Sequence, residues 1–202
     1  TEEFQRATNL PMDMVLADEK ASAILQVWYP GARGGKTVAE MLFGEISPSG
    51  KLPVTFYKST EDIPEFTDYS MKNRTYRYFE NEPLYPFGYG LSYTTFDWKV
   101  VELSHKDGAE ITNLDQLEID IDVTNTGNYP GKDVIEAYVT APYTKGGIEK
   151  AHVNLVGIVK TPEIKPGETL KVRLKIDCRD FESYDCYDKN NNGFKGYELE
   201  AG

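Results

Sequence analysis

Residues 117–124 read Leu117-Glu118-Ile119-Asp120-Ile121-Asp122-Val123-Thr124, apolar and polar side chains in strict alternation. Successive side chains of a strand point to opposite faces, so a period of two makes one face oily and the other wet. The pattern returns at 170–177, where Leu170, Val172, Leu174 and Ile176 alternate with Lys171, Arg173, Lys175 and Asp177. Val134 to Thr140 and Asn154 to Lys160 supply two further strands, with turns at Asn125-Thr126-Gly127 and Lys165-Pro166-Gly167. Short alternating strands between turn signals predict an antiparallel β-sandwich with one solvated face per sheet.

Upstream the texture changes. Ala23 to Trp28 (AILQVW) is a short apolar run stopped by Pro30 and Gly31, and is expected to be a strand. Gly34 and Gly35 then open a helix over Gly35 to Phe43, closed by Gly44. Val38, Met41 and Leu42 fall at i, i+3, i+4 spacing, so Met41 and Leu42 are expected to face the rest of the layer. Lys51 to Phe56 (KLPVTF) reads as a second strand. Strand, helix, strand is a fragment of an α/β layer, too small to be a stable sheet by itself. From Tyr57 to Ser92 the chain is rich in Tyr, Pro and Gly without a clean period, as expected of a segment that runs over a surface or wraps between domains. The expected fold class is therefore an α+β chain in two parts, a partial α/β sandwich layer over 1–92 followed by an antiparallel β-sandwich over 93–202.

Composition limits what such a chain does. Against 22 Lys+Arg stand 33 Asp+Glu, a formal net charge of -11, which repels nucleic acid and anionic lipid because phosphate binding needs clustered cations. No apolar run approaches the roughly 18 to 20 residues of a membrane span. With 2 His in 202 residues, a His-based metal cage or a His-driven triad is hard to assemble. The C-x7-C pair Cys178 and Cys186 matches no zinc spacing; a disulfide and two reduced thiols both stay open. The opening TEEFQRATNL has neither the basic nor the apolar region of a signal peptide.

Trp28-Tyr29-Pro30-Gly31, Gly34-Gly35, LFGEISPSGKLPVTF at 42–56, RTYRYF at 74–79 and PLYPFGYGLSYTTF at 83–96, in that order, resemble the C-terminal half of a family 3 glycoside hydrolase, most closely the bacterial β-xylosidase/β-glucosidase branch. NTGNYPGKDVIEAYV at 125–139 resembles the fibronectin type III-like domain that closes many of these enzymes. The resemblance implies retaining hydrolysis of terminal β-linked glucose or xylose without a cofactor. In that family a TIM-like barrel supplies an aspartate nucleophile in a Ser-Asp-Trp motif, and the α/β sandwich domain supplies the acid/base. This sequence has no Ser-Asp-Trp; Phe96-Asp97-Trp98 is the nearest echo, at the entrance to the β-sandwich and so in the wrong domain. No catalytic residue is therefore assigned to this chain, which is expected to supply scaffold and interdomain packing to a barrel encoded elsewhere. Physical reasoning agrees. A retaining pair needs two carboxyls about 5 to 5.5 Å apart, one with a raised pKa, and the acids here fall mostly on outward strand positions and turns.

Several residues stand out as candidates for binding. Trp28 ends a strand and could stack on a sugar, or simply pack at an edge. Arg74, Tyr76 and Arg77 form an aromatic and cationic strip that either borders a substrate cleft, with guanidinium forks on sugar hydroxyls, or glues two domains together. Gly34-Gly35 before a helix is expected to serve close packing, with no Walker lysine after it. Asn73-Arg74-Thr75 fits the N-glycosylation pattern. Asp188, Asn190 and Asn192, followed by Gly193, place side-chain oxygens at positions 1, 3 and 5 of a D-x-N-x-N-G calcium loop. Position 12 is Leu199 and not Glu, and a polar hairpin turn is the plainer reading. Gly196 to Gly202 (GYELEAG) reads as a strand; by resemblance one more strand follows it, and an edge left open there would recruit a partner segment or drive formation of a homo-oligomer. The rival function is a carbohydrate-binding or adhesion module, a non-catalytic sandwich gripping polysaccharide through a planar row of aromatics.

Overall fold

A computed structural model of the protein describes residues 14–201, so the opening TEEFQRATNL and Gly202 lie outside the described residues. The first part carries little regular structure: helix α1 (Met14–Lys20), helix α2 (Gly34–Leu42), a 3-10 turn at Thr60–Asp62 and one helical turn, α3 (Thr75–Tyr78). Helix α2 lies within a residue of its expected bounds and ends where Gly44 N donates to Met41 O at 3.0 Å. Its apolar stripe, however, is not a core. Leu42 is 66% exposed and Phe43 is exposed beside it, so the expected inward Leu42 is corrected. The two expected strands flanking α2 also fail to form. Ala23 to Trp28 joins no ladder, and of Lys51 to Phe56 only Phe56 bridges, to Tyr85. A strand is held by its neighbours: Lys51 to Phe56 meets the 84–89 segment only at Leu52 and Phe56, too few contacts for a ladder, and Ala23 to Trp28 pairs with no strand among the described residues.

The second part is built from the alternating segments. Strands β1 (Phe96–Leu103), β2 (Gln116–Asn125) and β5 (Thr169–Asp177) form one antiparallel sheet in the order β1-β2-β5, and β3 (Val134–Val139) pairs with β4 (Asn154–Lys160) in a second. The register puts Ile121 opposite Val172 and Ile119 opposite Leu174, all on the inner face. Ile121, Val123, Ile135, Ile164 and Val172 form the buried cluster between the sheets, with Phe96, Ile119, Val159 and Leu170 packed against it. Strands β6 (Ser183–Asp185) and β7 (Gly196–Glu198) form a separate hairpin. The GYELEAG strand thus pairs with β6, and not with the sandwich edge.

The outer face of the three-stranded sheet is ionic. Arg173 on β5 donates twice to Asp120 on β2, at 2.6 and 2.8 Å, and once to Glu118 at 3.0 Å, while Lys175 reaches Glu118 at 2.6 Å. Asp120 is buried by this embrace, and the Arg173 hydrogen bonds hold its carboxyl below the ordinary range. Glu118 is held low mainly by Lys175. A carboxyl with a depressed folded-state pKa contributes stability above its unfolded pKa of about 4, and that stability is lost as pH falls through the folded value. The denaturation midpoint should therefore drop as pH goes from about 5 to 2.5, and Arg173→Gln should flatten that dependence. An unchanged slope in the variant would show that these ion pairs do not couple to folding.

Candidate functional site

Two short elements bring the aromatic and cationic strip against the sandwich. Helical turn α3 places Tyr76 so that its ring stacks on Phe87, 4.3 Å between centroids, and meets Tyr138 of β3 edge-on at 6.0 Å. Tyr76 Oη accepts a hydrogen bond from Leu155 N of β4 at 3.0 Å. Tyr138 in turn donates to Glu136 at 2.7 Å, and burial first, then that carboxylate, pushes its pKa up. Gly88 fits here because it lies at φ +80 and a Cβ would come 2.3 Å from Glu136 Oε2. The Tyr-, Pro- and Gly-rich segment thus covers the outer face of the β3-β4 sheet.

Arg77 sits one residue on. Its carbonyl accepts from His152 N at 2.9 Å, its guanidinium lies 5.7 Å from the centre of the Tyr78 ring, and its Nε is buried without a partner. Tyr76 and Arg77 line an open, polar cavity of about 420 Å³ together with Asn154, Asp180 and Glu182. Arg74 and Trp28 are not in its wall. Arg74 donates to the carbonyls of Glu65 and Asp68, at 2.9 and 2.8 Å, and so pins the loop before α3. Trp28 is partly exposed, with φ +52, a left-handed backbone that a bulky residue adopts only under constraint. Of the four residues, two share one cavity and two do not. Asn154, Asp180 and Glu182 had no sequence signal, because each comes from a segment distant in the chain.

Asn73 is engaged on both sides of its amide, donating to Asp62 O at 2.9 Å and accepting from Glu80 N at 3.3 Å. Tyr85 donates to Asp18, and burial together with that carboxylate pushes its pKa up to about 12. In the loop after β6, Asp188 accepts from Gly193 N at 3.1 Å, Asn190 from Asn192 N at 3.3 Å, and Asn192 from Phe194 N at 2.8 Å. The Asn190 and Asn192 amides both donate to Glu198, and the buried Asp185 accepts from Tyr187 N at 2.9 Å and from Lys189 N. The three oxygens of the calcium pattern thus each cap a backbone N–H of their own loop. Among the described residues no three His, Cys, Asp or Glu side chains converge for a metal, and no helix is long and apolar enough to cross a membrane. Cys178 is buried and Cys186 exposed, and the two are not bonded.

A general acid needs a raised carboxyl pKa. Every carboxyl whose pKa clearly departs from the ordinary range here, at Asp68, Glu82, Asp115, Glu118, Asp120 and Asp185, is moved down. These six carboxylates accept hydrogen bonds from neighbouring backbone N–H groups or from Lys and Arg side chains.

The described residues form a helix-bearing segment fastened by an aromatic seam to a two-sheet sandwich. Residues 6–93 belong to the family described as the glycosyl hydrolase family 3 C-terminal domain, and the chain as a whole is similar to the corresponding stretch of longer relatives. It is 42% identical over 167 residues to a xylan 1,4-beta-xylosidase of Xylanibacter ruminicola, covering 83% of this chain and 18% of that protein. It is 38% identical over 183 residues to a periplasmic beta-glucosidase of Salmonella typhimurium, covering 83% of this chain and 23% of that protein. Among solved structures, beta-glucosidase 3B from Thermotoga neapolitana superposes with a TM-score of 0.75 at 36% identity, over 88% of this chain and 26% of that one. The chain spans about a fifth of the length of the curated relatives it matches.

Proposed function

We propose that the chain serves a retaining β-glycosidase that removes terminal β-linked glucose or xylose from oligosaccharides, and that it supplies scaffold and interdomain packing while a TIM-like barrel outside this stretch carries the nucleophile. The observation that carries this is the 42% identity to a xylan 1,4-beta-xylosidase across 83% of the chain. The direction of every resolved carboxyl shift supports the assignment of no catalytic residue here. Two carboxyls suffice for this hydrolysis, so no cofactor is invoked. The division into 1–92 and 93–202 is part of the same proposal. Of the candidate residues, Tyr76 and Arg77 both line the open polar cavity, and Tyr76 is also engaged with Phe87, Tyr138 and Leu155. A freestanding polysaccharide-binding sandwich is disfavoured, because the outer face of the three-stranded sheet displays Glu118, Asp120, Lys171, Arg173 and Lys175 where stacking rings would be needed.

Purified residues 1–202 should not cleave nitrophenyl β-xyloside or β-glucoside above background. Turnover on the order of 1 to 1000 per second, the ordinary enzyme range, would overturn the scaffold reading.

A further inference from the structure

The cavity beside Arg77 gathers polar side chains of three kinds that the chain itself leaves without partners. Its walls come from α3, from the first residues of β4 and from the 3-10 turn Cys178–Phe181 with the residue after it: Arg77, Asn154, Leu155, Val156, Asp180 and Glu182. Arg77 Nε is buried with no acceptor, and among the described residues no hydrogen bond or ion pair engages the guanidinium or the side chains of Asn154 and Asp180. Glu182 receives one hydrogen bond, from Asn113 Nδ2 at 2.7 Å to Oε1. A guanidinium and two carboxylates thus line one space without closing on each other. Shielded polar groups left this way cost free energy unless something from outside bridges them. The walls are also set in advance. Tyr76 Oη and the Arg77 carbonyl accept from Leu155 N at 3.0 Å and His152 N at 2.9 Å, which ties α3 to the β4 side of the cavity, while Asn113 holds Glu182.

The lining selects a chemical class by elimination. An anion would answer Arg77 but face Asp180 and Glu182, in a chain whose net charge is -11. A cation would answer the carboxylates but leave the guanidinium unpaired and repelled. An apolar body would cover the guanidinium, the amide and the acids with nothing to bond them. A neutral polyol satisfies all of them, because each hydroxyl donates to a carboxylate and accepts from a guanidinium or an amide. Two neighbouring hydroxyls match the guanidinium fork, and Leu155 and Val156 offer apolar surface to the C–H side of a ring. The volume of about 420 Å³ falls within the roughly 300 to 1,000 Å³ of small-molecule sites. We propose that this cavity binds one pyranose unit of a neutral saccharide, so that the chain makes a carbohydrate contact of its own. The proposal rests on the hydrolase reading only for the choice of xylose and glucose as the sugars.

The test titrates the whole encoded polypeptide, with labelled leucine and valine methyls, with D-xylose and D-glucose while NMR follows Leu155 and Val156. Those methyl signals should move saturably, with a Kd on the order of millimolar for so small a ligand, while Leu103 on β1 in the other sheet stays put. Arg77→Gln should weaken binding roughly tenfold or more, since a hydrogen bond from a charged donor is lost. Asp180→Asn should weaken it roughly threefold or more, and because Asp180 is exposed and has no partner to lose, that variant decides if Arg77→Gln does not fold. Unmoved Leu155 and Val156 signals overturn the proposal, as does a wild-type Kd in both variants. Tighter binding of acetate or methylammonium than of either sugar overturns the choice of a neutral ligand. Turnover of nitrophenyl β-xyloside by the same polypeptide tests the hydrolase reading separately. Methyl shifts without turnover support the cavity site while removing that reading, and turnover with unmoved methyls overturns the cavity site while keeping it.

Discussion

Asn125→Ala is expected to destabilise the sandwich strongly. Asn125 is fully buried at the end of β2, and its amide makes four hydrogen bonds. Nδ2 donates to Tyr129 O and Ile164 O, both at 2.8 Å; Oδ1 accepts from Thr94 Oγ1 at 2.6 Å and Gly127 N at 3.0 Å. Truncation strands those four partners, and each buried group left unpaired costs about 1 to 3 kcal/mol, so the loss should be roughly 3 kcal/mol or more. For a domain near 100 residues that corresponds to a fall in Tm on the order of 12 °C. Asn125→Asp separates hydrogen bonding from packing. It keeps the shape but turns a carboxylate oxygen toward two carbonyls, so it should be no better than alanine. Thermal melts of both variants check this, and an aspartate variant close to wild type would mean the site is held by shape alone.

The second large effect is expected at Leu174, buried where β5 faces β4. Leu174→Ala should cost about 2 to 5 kcal/mol, because a cavity opens against a backbone that offers no side chain to fill it. That backbone is Gly157, whose absent Cβ would lie 3.1 and 3.2 Å from the two Leu174 methyls. Gly157→Ala alone should therefore destabilise by overpacking, about 1 kcal/mol or more. Together the two substitutions should cost clearly less than their sum, since the new methyl enters the space that leucine leaves. A double-mutant cycle in urea measures the coupling. Strict additivity would show that β4 and β5 are not in contact at this point.

The parts of the fold that could be read from sequence are those whose signal is local. Leu117 to Val123 and Leu170 to Ile176 carry a period of two and are strands, and helix α2 follows from the spacing of Val38, Met41 and Leu42 and the glycine after it. The segments that misled are Ala23 to Trp28 and Lys51 to Phe56. Each has strand composition, but a ladder needs a neighbour, which composition cannot supply. The exposure of Leu42 is the same matter seen from the helix: an apolar stripe says that something should cover it, not that the cover is present. The cavity at Arg77 was half visible. RTYRYF announces aromatic and cationic side chains, while Asn154, Asp180 and Glu182 arrive through tertiary folding alone. Asn125 looked like the start of a turn, and its sequence gives no hint that one amide ties β2 to the Thr94 and Ile164 segments.

The seam of Tyr76, Phe87 and Tyr138 bears on how such proteins can be recombined. A junction at 92/93 looks like a clean module border, yet it separates Tyr76 and Phe87 from Tyr138, and Gly88 from the Glu136 carboxylate it accommodates. A sandwich transplanted from a relative would present its own side chains at those two β3 positions to a foreign linker. The inherited unit is therefore the sandwich with the stretch from Tyr76 to Gly88 attached, and a chimera respecting that larger unit keeps the contact that a cut at the border breaks.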